Sequence, residues 1–134
     1  MRELTELLQR LIAIPSPNPP GDCRAVAEFC GSYLAEAGFA VTLAAPDDRA
    51  WSAVASIGPE DGPSLLYHAH IDTVPLGQNA HWTHDPFGGE VADGRIYGLG
   101  SVDDKGPLAA MMLAGAQLAQ RRTELQGRLT IVCA

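Results

Sequence analysis

Two hydrophobic periods alternate along this chain, and that alternation restricts its fold more than any other feature. Leu4, Leu7, Leu8, Leu11 and Ile12 recur at helical spacing, and the cluster Pro15, Pro17, Pro19 and Pro20 then ends the helix and stiffens the loop behind it. A second stripe, Val26, Phe29, Cys30, Tyr33, Leu34 and Ala37, has Asp22 in front as a cap and Gly38 behind as a stop. The period then shortens. Residues 39–45, 51–57 and 64–70 are brief apolar runs separated by PDDR and GPEDGP, whose residues make turns and break strands. Residues 77–89 carry Gly, His, Pro and Asn without any period and are expected to form a long surface loop. Residues 90–91 and 95–97, joined through Asp93-Gly94, read as a small hairpin. Leu108, Met111, Met112, Gly115, Leu118 and Ala119 form the face of a third helix with Pro107 in its first turn. Residues 128–134 are a last strand, on which Leu129, Ile131 and Val132 are expected to leave an open apolar edge. Helices alternating with strands predict one α/β domain, a mixed sheet flanked by helices.

The chain has 134 residues, 46% hydrophobic and 19% charged, enough to bury a core without disulfides. Its net charge of −7 argues against a nucleic acid or an anionic membrane as partner and leaves small ligands open. Cys23, Cys30 and Cys133 have no paired spacing, so they are expected to be reduced, buried thiols of a cytoplasmic protein rather than a zinc finger. Charges interrupt the first apolar positions, and the longest uncharged stretch, 106–120, is too short and polar to span a bilayer. Neither a signal peptide nor a transmembrane helix is expected.

Two short motifs can do chemistry. The third strand ends in His68-Ala69-His70-Ile71-Asp72-Thr73-Val74-Pro75. Alternate side chains of an extended segment share a face, so His70 and Asp72 point the same way. An imidazole can bind zinc through one ring nitrogen while a carboxylate holds the other and fixes the tautomer. Taken alone, an HxD step is equally a surface ion pair. The second motif, Gly98-Leu99-Gly100-Ser101-Val102-Asp103-Asp104-Lys105-Gly106, sets two carboxylates where the third helix begins and contains the chain's only lysine. Asp103 can bridge two cations; for Asp104, capping the helix and metal work both remain open. A dinucleotide fold is excluded because Asp103 stands where its third glycine is needed. Neither a phosphate-binding GxxxxGK[ST] loop nor a GxSxG nucleophile elbow occurs. His68 is expected in the core, His81 and His84 as solvated loop side chains, Trp82 and Phe87 as packing pins for the loop, and Arg95 and Tyr97 on the hairpin surface.

With both motifs in place, the chain resembles the aminoacylase and carboxypeptidase family of dinuclear zinc hydrolases, which includes acetylornithine deacetylase, succinyl-diaminopimelate desuccinylase and glutamate carboxypeptidase. LLQRLIAIPSPNPPGD, LLYHAHIDTVP, WTHDPFGGEVADGRIYGLG and SVDDKGPLAA follow one another in that family's order. The resemblance implies a zinc-exopeptidase-like fold in which His70 ligates one zinc, Asp72 is the catalytic carboxylate behind it, and Asp103 bridges two zinc ions, with cobalt as a substitute. Asp104, Lys105 and Gly106 complete the motif. Ala69 and Leu99 depart from the family's usual glycine and arginine, at backbone or packing positions. The resemblance also implies a cis peptide between Asp103 and Asp104, and His70 and Asp103 converging at one end of the sheet.

Residues 1–134 are thus expected to be the amino-terminal part of the catalytic domain, truncated at the C-terminus. The family's adjacent glutamates, one a general base, would follow the last strand, as would its lid or dimerisation domain. The implied function is hydrolysis of the amide of an N-acyl amino acid or small peptide by a full-length, homodimeric enzyme, with the fragment alone inactive. The alternative is a non-catalytic domain that keeps the fold for ligand or partner binding.

Overall fold

A computed structural model describes residues 2–77 and 81–134. Three helices, α1 (Arg2–Ile12), α2 (Arg24–Glu36) and α3 (Lys105–Ala119), accompany strands β1 (Ala40–Ala44), β2 (Ser52–Ile57), β3 (Ser64–Ala69), β4 (Glu90–Ala92), β5 (Arg95–Tyr97) and β6 (Arg128–Cys133). Residues 78–80 of the expected 77–89 loop lie outside the described residues, as does Met1 of the first helix.

The predicted stripes bury over most of their length, with Leu118 of the third an exposed exception. Leu7, Leu8, Leu11 and Ile12 of α1, and Val26, Ala27, Cys30 and Leu34 of α2, enter a single core with Leu108, Ala109 and Met112 of α3. Asp22 accepts from the Arg24 amide at 3.1 Å, although Cys23 is the residue at the N-cap. Gly38, at φ +100, stops α2 in the left-handed conformation that glycine tolerates best.

The main sheet runs β1-β2-β6-β3. β1 and β2 pair antiparallel, as do β2 and β6, whereas β6 lies parallel to β3. Ala53, Ala55 and Ile57 of β2 and Leu129, Ile131 and Cys133 of β6 are buried on one face, and α2 and α3 pack on that face. The core therefore lies between the sheet and one layer of helices, with α1 packed on α3. All three cysteines are buried and unbridged, and burial, after contact with Cys133, pushes the Cys30 thiol upward.

The expectation of an open apolar edge on the last strand is overturned. β6 inserts between β2 and β3, so Leu129 and Ile131 are core residues, and β3 becomes an edge strand, as β1 is at the other side. The physical reason is the parallel β3–α3–β6 crossover, which lays the later strand inside the earlier one. Leu65 and Leu66 are 52% and 60% exposed, and Leu118 of α3 also faces solvent. An unpaired edge with apolar side chains on both faces invites association. Replacing Leu65 and Leu66 together with lysine should lower light-scattering growth at high protein concentration while moving stability by only about 0.5 kcal/mol per site; unchanged scattering would place the sticky surface elsewhere. No helix among the described residues is long and apolar enough to cross a membrane.

Candidate metal centre

The site forms where β3 ends. Beyond Ala69 the chain stays tied to the last strand, since the Ile71 amide donates to the Ala134 carbonyl at 2.9 Å and the Ala134 amide to that of Ala69 at 3.2 Å. This fixes His70 at the carboxyl end of the parallel pair. Its Nδ1 stands 3.0 Å from both the Oδ1 and the backbone oxygen of Asp72; both are acceptors, so Nδ1 carries a proton. Its Nε2 lies 2.7 Å from Asp103 Oδ1, across 33 positions of sequence. The Asp103 carboxylate, and then Asp72, raise the imidazole's pKa against the opposing effect of partial burial. His70 and Asp103 thus meet at one end of the sheet, as expected.

The second motif supplies Asp103 from a loop that two glycines let close. Gly100 has φ +80, and a Cβ there would lie 2.7 Å from Thr73 Cγ2; a Cβ on Gly106 would lie 2.5 Å from the Ser101 carbonyl oxygen. The Asp103–Asp104 peptide is cis. Asp103 is 81% exposed and lines the cleft, whereas Asp104 takes the N-cap position of α3 without a side-chain capping bond. The capping reading of Asp104 therefore lacks its hydrogen bond.

Lys105 is 1% exposed, the largest fully buried side chain among the described residues. Its ammonium donates at 2.9 Å to the carbonyl of Leu11, which also accepts from the Ile14 amide at 3.2 Å, and at 2.6 Å to that of Ile14 just beyond the carboxyl end of α1. Burial pushes its pKa down to about 8. The lysine in the motif thus joins α1 to the amino end of α3 and stays out of the cleft.

The cleft, about 360 Å³, is lined by Asn18, His70, Asp72, Trp82, Ser101 and Asp103, among others. Asn18 is the residue that sequence reasoning missed: its amide donates to Asp72 Oδ2 at 3.0 Å. The one available signal was a polar side chain set between prolines in a stiff loop. Thr73 was missed as well; its hydroxyl is buried without a hydrogen-bond partner among the described residues.

The other histidines need two corrections. His68 is exposed rather than in the core, because β3 is an edge strand. His84 is not a free loop side chain: it stacks on Tyr97 at 3.9 Å and pairs with Glu90 at 2.9 Å, so Tyr97 is half-buried. His81 is exposed, and Trp82 pins its loop by donating to the Leu76 carbonyl at 3.0 Å. Among the described residues, no group of three or more His, Cys, Asp or Glu side chains could close on one metal ion.

The family model of peptidase family M20/M25/M40 matches residues 66–134, the half of the chain that carries both motifs. The chain belongs to that family. This M20-family chain is 38% identical over 133 residues to a succinyl-diaminopimelate desuccinylase of Methylorubrum extorquens, covering 94% of itself and 33% of that protein. In fold it matches an M20 family metallo-carboxypeptidase from Sulfolobus solfataricus with a TM-score of 0.86 at 23% identity, over 99% of this chain and 30% of that one. It likewise matches a Bacillus subtilis M20 protein described as a dinuclear metal binding peptidase, with a TM-score of 0.66 at 22% identity, over 98% of this chain and 34% of that one. The M20 chain therefore spans about a third of the length of the relatives it matches.

Proposed function

We propose that this chain provides the first half of a dinuclear zinc site in an amidohydrolase that cleaves N-acyl amino acids or small peptides. One observation carries the reading: His70 Nε2 and Asp103 Oδ1, a nitrogen and a carboxylate oxygen, converge to 2.7 Å in an open cleft while Asp72 holds the far side of the imidazole. This donor set suits zinc, with cobalt as a substitute.

In this reading His70 offers the Nε2 lone pair, Asp72 keeps the ring's proton on Nδ1, and Asp103 offers its carboxylate to two ions. Zinc, when bound, supplies Lewis acidity toward the scissile carbonyl and a water activated near neutral pH. Asp72 keeps His70 from turning, and Gly100 and Gly106 hold the Asp103 loop against it. The 38% identity to a desuccinylase makes an N-succinyl amino acid the first substrate class to try. Action in the cytoplasm, and assembly of a longer chain into a homodimer, belong to the same proposal.

Zinc titration of the chain, followed by NMR of its four histidines, tests the site. Zinc is expected to move His70 first; Asp103→Asn should weaken that response at least about tenfold, and His70→Ala should leave the other three histidines unmoved over the same zinc range. A response that begins at His81 or His84 and survives both substitutions would defeat the assignment.

A further inference from the structure

The proline-rich loop after α1 carries no residue of either motif, yet it lies alongside the site. The Asn18 amide N–H donates to the Thr73 carbonyl at 2.8 Å, the Thr73 amide to the Ser16 carbonyl at 2.9 Å, and Pro17 and Thr73 form a parallel bridge. Ser16 is wholly buried, and its hydroxyl donates to the Ile71 carbonyl at 2.6 Å. Residues 16–18 therefore run beside residues 71–73 as a short strand-like partner. Pro17, Pro19 and Pro20 restrict the backbone on either side of Asn18.

The Asn18 side chain points from this clamp toward Asp72. Its Nδ2 donates to Asp72 Oδ2 at 3.0 Å, while Asp72 Oδ1 stands 3.0 Å from His70 Nδ1. An ionised carboxylate only accepts, so the amide must present its NH₂ group there. The last torsion of an aspartate is broad and roughly two-fold, and a single partner leaves it free to swing. Two donors on two different oxygens remove that freedom.

We propose that Asn18 is a positioning residue of the site: by holding Asp72 Oδ2 it keeps Oδ1 on His70 Nδ1, and so fixes the ring with Nε2 on the Asp103 side of the cleft. The inference rests on the reading that His70 takes a metal through Nε2. Among side chains of this size, asparagine alone combines the donor with neutrality. Aspartate has the same shape and would repel Asp72, and leucine fills similar space without a donor.

The test compares the 134-residue chain with its Asn18→Leu and Asn18→Asp variants at one fixed pH, by NMR of ¹⁵N-labelled His70. In both variants the Nδ1 proton of His70 should exchange with water about three to ten times faster. The zinc dissociation constant read at His70 should rise by a similar factor, less than the 10- to 100-fold typical of partners that touch the ligand itself. The melting temperature should hold, because the bond is exposed. If melting falls while His70 exchange and zinc affinity stay at the wild-type values, Asn18 is merely structural and the inference is wrong; the isosteric Asn18→Asp variant decides should Asn18→Leu fail to fold. If wild-type His70 ignores zinc, the metal reading fails by itself, and the Nδ1 exchange rate still judges Asn18.

Discussion

The 134-residue chain is expected to release no measurable product from N-succinyl or N-acetyl amino acids or from dipeptides, with or without added zinc or cobalt. Catalytic zinc sites use three protein ligands, whereas His70 and Asp103 are two, and no group of three metal-binding side chains exists among the described residues to complete the set. Nor does any glutamate among the described residues line the cleft to accept a proton from water. A missing general base alone costs about 10² to 10⁴-fold in rate, before any loss of metal. The measurement pairs a product assay under excess Zn²⁺ or Co²⁺ with metal analysis after dialysis. Turnover above the metal-only blank, or one zinc retained per chain, would mean that the site is completed by residues other than those proposed.

Lys105→Ala is expected to be among the most damaging single substitutions in the chain. It would empty a fully buried space as large as that of a core leucine or methionine and strand the carbonyl of Ile14, leaving that of Leu11 with only the bond from the Ile14 amide. Truncations of that size cost about 2–5 kcal/mol, and one stranded acceptor adds about 1–3 kcal/mol, so roughly 3 kcal/mol is a conservative total. Against a domain stability of about 5–15 kcal/mol, that removes a large part of the margin and lowers the melting temperature by roughly 10 °C. Lys105→Met keeps most of the volume and loses only the donors, so it should cost about half as much. Urea unfolding of both variants separates the two contributions. Equal, small losses in both would show that the ammonium contributes little where it lies and that α1 is held by its apolar stripe alone.

The reach of the sequence differs from element to element. Helical spacing placed α1, α2 and α3, and the run Asp93-Gly94 placed the β4–β5 hairpin, where the structure has φ 50 and 72 at those two residues. These features depend on neighbours a few positions away, and period and turn chemistry report such neighbours directly. The pairing order did not follow in the same way. Leu65, Leu66, Leu129 and Ile131 look alike as apolar strand residues, and only the insertion of β6 between β2 and β3 decided that the second pair is buried and the first exposed.

The site divides along the same line. By itself the sequence offered the candidates: a histidine with an aspartate two residues on, and a pair of aspartates ahead of a lone lysine, are donor atoms at short spacings, which are local properties, and the family resemblance singled out His70, Asp72 and Asp103 among them. Tertiary structure decided what each residue does with those atoms. It brought Asp103 to His70, turned Lys105 inward onto the end of α1, left Asp104 without the capping bond, exposed His68, and set Asn18 on Asp72 from 54 positions away. The physical reason is that a buried ammonium or an orienting amide is chosen by whichever acceptor the fold carries to it, and long-range backbone pairing such as that of 16–18 with 71–73 leaves no period in the sequence.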